Sequence, residues 1–151
     1  MSIEQYHPTK LFTPDEANSM LPLVRAITDD VVRLARDMVD RRQRLDYLKS
    51  GRDISEGDPY GDELTQMEEQ QEKDTTKLQE YVDELRQLGV EPKTLTEGLI
   101  DFPSMMDGRV VFLCWKHGEP EVQHWHELDA GFDGRQPLVV TVGGDQPDQS
   151  L

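Results

Sequence analysis

The chain has 151 residues, 31 acidic against 16 basic, for a formal charge of −15; that length is room for about one ordinary domain, and a chain this acidic repels phosphate backbones and anionic lipid, which argues against nucleic-acid and membrane-surface partners. The longest apolar run, 110–115, has six residues, where a bilayer span needs about 20, and the opening MSIEQYHPTK has no apolar signal region. A single cysteine, Cys114, forms no internal disulfide, so the expected setting is cytoplasmic and reduced.

The first helix has a clear start. Thr13 is an N-cap, Pro14 suits the first helical position, and Glu16 stands at capping-box spacing from Thr13. Apolar residues then recur at Ala17, Met20, Val24, Ile27, Val31, Leu34, Met38, Leu45 and Leu48, a heptad-like seam in which Arg41 is the one charge. Arg41→Leu is therefore expected to be tolerated or stabilising, and Leu34→Asp to be costly. Pro22 is expected to kink this helix or split off a short first segment. The loop at 51–61, rich in Gly, Asp and Ser, breaks the pattern.

A second helix is predicted over 62–88, with a seam of Leu64, Met67, Gln71, Asp74, Leu78, Tyr81, Leu85 and Leu88 and with Gly89 just past its end. Two such seams joined by a short loop predict an antiparallel hairpin over 12–89. Residues 14–50 hold seven acids and seven bases, whereas 62–88 hold nine acids and three bases. The basic run Arg41, Arg42 and Arg44 is thus expected to face the acidic second helix or solvent.

Residues 90–142 read as a β-meander and loop. Asp107-Gly108 is a two-residue hairpin signal joining strands at 99–106 and 109–116. A turn at 117–120 leads into a strand at 121–128, and 138–142 offer another. Pro103 predicts that the first of these strands is an edge. Counting with two-residue loops, one face carries Ile100, Phe102, Val111, Leu113, Trp115, Val122, His124 and His126. The other carries Leu99, Asp101, Met105, Val110, Phe112, Cys114, Gln123, Trp125 and Glu127. The first, more apolar face is expected to pack on the hairpin. Residues 143–151 read as a disordered tail, leaving one domain over 1–142.

FTPDEANSMLPLVR at 12–25, LGVEPKTLTEGLIDFPSMMDGRVVFLCWKHGEPEV at 88–122 and WHELDAGFDGRQPL at 125–138 resemble the prokaryotic family of domain of unknown function 2203. The resemblance implies a long-helix-plus-small-sheet fold and a prokaryotic source. It brings no catalytic or cofactor role to any position.

Three groups of residues offer chemistry. His124 and His126, at i and i+2 on one strand, point to one face and are candidate metal ligands. Their glycine spacing echoes a cupin motif, but Ala130 and Gly131 stand where its glutamate belongs. Arg135, in the loop 129–137, is either an anion clamp or an internal brace with Asp101 or Glu127 as partner, the brace being favoured. Cys114, mid-strand among apolar residues, reads as a buried small side chain.

The sequence therefore predicts an α+β fold, a long antiparallel helical hairpin with a small C-terminal antiparallel sheet. The function it favours is a non-catalytic, homo-oligomeric interaction module associating through the helices, with a further protein partner allowed, no cofactor and no sub-micromolar zinc site. The alternative is a small-ligand binder or a metal-dependent enzyme with its site at the sheet–loop junction, built from Asp101, His126 and Arg135, with His124 as a further candidate. Converging groups beneath an open pocket favour the alternative, and the same groups paired internally favour the module.

Overall fold

The computed structural model describes residues 6–50 and 59–138. All but the first residue of the strand expected over 138–142, the tail at 143–151 and most of the interhelical loop lie outside the described residues. Helix α1 spans Pro14–Lys49 and α2 spans Gly61–Gln87. Among the described residues five strands follow, β1 Glu91–Lys93, β2 Leu99–Met106, β3 Arg109–Lys116, β4 His124–His126 and β5 Gln136–Pro137. They form one sheet in sequence order, every neighbouring pair antiparallel. The fold is α+β. No helix among the described residues is long and apolar enough to cross a membrane.

Helix α1 starts as its sequence dictates. The Thr13 hydroxyl accepts from Glu16 N–H at 3.1 Å, and the Glu16 carboxylate accepts from Thr13 N–H at 2.9 Å. Two otherwise orphaned donors are thereby satisfied. Pro22 lies inside a continuous helix. The expected split does not occur, because the helix on either side of Pro22 is anchored in the core by Ala17, Leu21 and Val24.

Among the described residues, two apolar clusters hold the hairpin. The larger joins Ala17, Leu21, Val24 and Val31 of α1 and Leu85 of α2 to Ile100, Phe102, Leu113 and Trp115 of the sheet. The smaller, Leu45, Leu48 and Leu64 with Met67, lies in the outer half of the hairpin. Leu34 is half-buried and belongs to neither cluster; Ala35 beside it is buried. Leu34→Asp thus falls on the flank of the seam, and its expected cost shrinks accordingly.

Between the clusters sits a polar layer. Arg41 Nη1 donates to Asp74 Oδ2 at 2.7 Å and to Gln71 Oε1 at 2.6 Å. Gln71 Nε2 donates to the Met38 carbonyl at 3.0 Å, and Gln70 Nε2 to Asp74 Oδ1 at 2.8 Å. Arg44 pairs with Glu63 farther out, so two members of the basic run do face α2. This layer reverses the expectation for Arg41→Leu. Asp74 is buried, and removing its cation leaves a desolvated carboxylate, at a cost of about 2 kcal/mol. The double change Arg41→Leu with Asp74→Leu should recover most of that loss. Urea midpoints of the three proteins test this, and an unchanged midpoint in Arg41→Leu would reject the account.

In the sheet, Asp107-Gly108 turns the chain as expected, with φ of 51° and 79° and Met106 paired to Arg109, the positive φ pair of a type I′ turn. Strand β2 is not an edge, since the unforeseen strand β1 flanks it. Strand β1 pairs only with Leu99, Ile100 and Asp101. Pro103 lies beyond that pairing, so its missing N–H breaks no ladder there, and its carbonyl accepts from Phe12 N–H at 2.7 Å.

The larger correction concerns β4. His126 lies opposite Phe112, Trp125 opposite Leu113, and His124 opposite Cys114. Directly opposite residues share a face, so both histidines lie on the face of Asp101 and Cys114, not on that of Leu113 and Trp115. The connection from β3 occupies 117–123 and is not a two-residue turn. Asn18 of α1 grips it, accepting from Val122 N–H at 2.7 Å and donating to its carbonyl at 3.3 Å. Arg25 donates to the Pro120 carbonyl at 3.0 Å. Val122 thus reaches the core from outside the sheet, and β4 enters the ladder one residue out of the counted phase, which exchanges its faces.

Candidate functional site

The helices cover one face of the sheet. The opposite face presents Asp101 from β2, Cys114 from β3 and His126 from β4, all three buried. Asp101 and Cys114 are register partners, and the shifted phase of β4 delivers His126 beside them. One oxygen, the sulfur and one ring nitrogen lie within 4.8 Å of one another. A cavity of about 220 Å³ opens over the three, lined also by Lys93, Thr94, Leu99, Leu128, Gly131 and Phe132.

Two oxygen partners flank the His126 ring. Its Nδ1 lies 2.7 Å from the Glu127 carbonyl and its Nε2 lies 3.1 Å from Asp101 Oδ1. A carbonyl only accepts, so Nδ1 donates, and an ionised carboxylate at Nε2 favours the imidazolium form. Burial works against that charge, but the contacts with Asp101, Cys114 and the Glu127 carbonyl outweigh it and hold the ring's pKa well above its usual value. Lys93 Nζ stands 3.7 Å from Asp101 Oδ2.

Arg135 enters from the loop after β4. It forms a two-pronged pair with Glu119, with Nη1 to Oε1 at 3.0 Å and Nη2 to Oε2. It stacks on Phe132 at 4.4 Å from the ring centroid, and Nη1 lies 4.0 Å from Cys114 Sγ. The guanidinium is thus an internal brace. Its partner is Glu119, not Asp101 or Glu127, because Lys116 N–H also donates to Glu119 at 2.8 Å and fixes that carboxylate over the turn. Glu127 pairs instead with Arg109, 3.0 Å from its Nε.

Of the residues singled out in the sequence, the structure joins Asp101 to His126 and places Arg135 alongside. His124 is not in the converging group. It lines a separate cavity of about 420 Å³ with Asn18, Val122 and Leu138, and its Nδ1 is buried without a hydrogen bond among the described residues. Cys114 is buried as expected, yet it belongs to the polar group. Its shared face with Asp101 was readable from the strand alternation. Glu119 had no comparable signal, since turn residues have no face to count.

The brace makes stability depend on pH. Burial raises the Glu119 pKa, but the Arg135 hydrogen bond and the Lys116 N–H outweigh it, leaving the carboxyl below its usual value. A carboxyl lowered in the folded state stabilises above its unfolded pKa of about 4.3, and that stabilisation is lost as pH falls through the folded value. Wild type should therefore melt above Glu119→Gln at pH 6, with the gap closing toward pH 3. A gap that is constant with pH would contradict the assignment.

A family described as "Uncharacterized conserved protein (DUF2203)" matches residues 10–138. No curated protein and no solved structure matches the chain. The match spans both helices and the described sheet, and the chain belongs to the DUF2203 family.

Proposed function

We propose that the protein is a small-ligand-binding protein whose site is the pocket at the sheet–loop junction, floored by Asp101, Cys114 and His126. One observation supports this above the others: a buried Asp–His ion pair and a thiol converge beneath an opening. Burying such a pair is costly, and a purely structural face holds apolar side chains more cheaply. The reading is one of binding, not turnover. Both His126 nitrogens are engaged, so no free base stands beside Cys114 for nucleophilic chemistry. The free thiol suits a reduced, cytoplasmic setting.

Amide chemical-shift mapping with a panel of small carboxylates, phosphates and heterocyclic fragments tests the pocket. Shifts should cluster at Thr94, Leu99, Cys114, His126 and Gly131 and vanish in His126→Gln. Shifts confined to the helices, or none at all, would reject the reading.

A second reading, self-association through the helices, is favoured by the outer hairpin, which extends past the core shared with the sheet and exposes Val39 and Tyr47. At −15 per chain, association should strengthen from low salt to about 0.5 M on screening grounds. Light scattering at the two ionic strengths decides it, and a 17.4 kDa species in both counts against it.

A further inference from the structure

We propose that the pocket holds a divalent transition-metal ion of the zinc type, with Asp101, Cys114 and His126 as its three protein ligands and the cavity supplying an open fourth position. The proposal rests on reading this pocket as the ligand site, and it names the occupant. It also reverses the sequence expectation, which sought a metal at His124 and His126 and expected no tight zinc site.

Donor chemistry selects the ion. A thiolate, an imidazole nitrogen and a carboxylate oxygen form a mixed set suited to zinc, whereas calcium and magnesium take oxygen shells. Ligand atoms around tetrahedral zinc stand about 3.3–3.7 Å apart, from bond lengths near 2.0–2.3 Å. Here Nε2 and Oδ1 are already 3.1 Å apart, and one oxygen, one ring nitrogen and the sulfur lie within 4.8 Å of one another. Closure of at most about 1.5 Å brings sulfur into the same sphere.

Each ligand also has an outer partner that leaves one atom for the ion. The Glu127 carbonyl takes Nδ1–H at 2.7 Å and turns Nε2 inward, the arrangement that fixes the tautomer of a metal-bound histidine. Lys93 stands 3.7 Å from Asp101 Oδ2, so Oδ1, which faces His126 Nε2, is the oxygen that turns to the ion. Arg135 Nη1 lies 4.0 Å from the sulfur, a donor placed to temper thiolate charge. These partners come from β1, from the backbone after β4 and from the loop beyond it, so three separate segments converge on three ligands.

Metal ligands bind in their deprotonated forms, so any proton on Sγ or Nε2 leaves to solvent as the ion enters.

The test uses the full chain, stripped with chelator and titrated with Co²⁺ and then Zn²⁺. One Co²⁺ per chain should bind and produce a thiolate-to-cobalt charge-transfer band, which Zn²⁺ then abolishes by displacement. Stoichiometric Zn²⁺ should also raise the wild-type melting midpoint, a readout independent of whether any variant folds. Cys114→Ser should lose the band, and His126→Gln and Asp101→Asn should weaken binding by roughly 100-fold or more. Absence of both the band and the midpoint shift in wild type overturns the proposal. So does metal binding that is undiminished in Cys114→Ser and His126→Gln, which would place the ion elsewhere on the acidic surface. Should cobalt fail while the fragments still shift the pocket amides, the metal falls and the ligand-binding reading stands; if both fail, both readings fall.

Discussion

Trp115→Ala is expected to cost about 3–5 kcal/mol of folding stability, a large share of the roughly 5–15 kcal/mol that holds an ordinary domain folded. Trp115 is fully buried in the cluster that joins the sheet to both helices. Alanine would leave a void where the indole meets that cluster, and the dense surroundings relax only partly into such a space. The indole also donates from Nε1 to the Glu119 carbonyl at 2.9 Å, so its loss unties the turn that holds the Arg135 brace. Trp115→Phe fills much of the volume but cannot make that bond, and should cost about 1–2 kcal/mol more than packing alone. Urea denaturation followed by far-ultraviolet circular dichroism measures both. A loss below about 1 kcal/mol for alanine would mean that Trp115 is not the keystone its burial implies.

The second large effect is expected at Gly98, where alanine should cost about 2–4 kcal/mol. Gly98 has φ +68°, and a Cβ there would lie 2.6 Å from His117 Cβ, 2.8 Å from Val32 Cγ2 and 3.0 Å from Thr28 Cγ2. Its backbone has no freedom to retreat. The Gly98 N–H donates to the Thr94 carbonyl at 3.0 Å, and its own carbonyl accepts from His117 N–H at 2.9 Å. Gly108 separates conformation from crowding, because its φ is +79° and a methyl at that position would meet nothing within 4 Å. Gly108→Ala should therefore show only the conformational cost, about 1 kcal/mol. Equal midpoints for the two variants would remove the steric half of the argument.

The helices were legible because their signals are local and long. A capping box, a seam with 3.6-residue periodicity and a closing glycine mark elements of 36 and 27 residues, and error in one position does not erase such a pattern. The β2–β3 hairpin was legible because its turn chemistry sits in two adjacent residues. Asp101 and Cys114 could be placed on one face by alternation alone. The phase of β4 could not, because it is set by the Asn18 amide gripping Val122 across 104 positions of chain, and alternation has no means of counting through a connection held by a distant helix. Strand β1 escaped for a different reason. Glu91-Pro92-Lys93 has neither the apolar alternation nor the β-branched residues that mark a strand, and it exists only because the edge of β2 awaits a partner.

The polar layer at Arg41 and Asp74 has a kinetic consequence for the hairpin. Beyond it, among the described residues, three buried apolar side chains hold the helices together, against twelve in the cluster shared with the sheet. Such an imbalance lets one end of a structure open while the other stays closed. The distal turns of both helices should therefore exchange their amide hydrogens through sub-global openings that leave Val24 and Leu85 protected. The Arg41–Asp74 pair should be the boundary at which such an opening halts, since passing it requires separating a part-buried ion pair, and the pocket on the far side of the sheet should be insulated from the breathing of the helical tip.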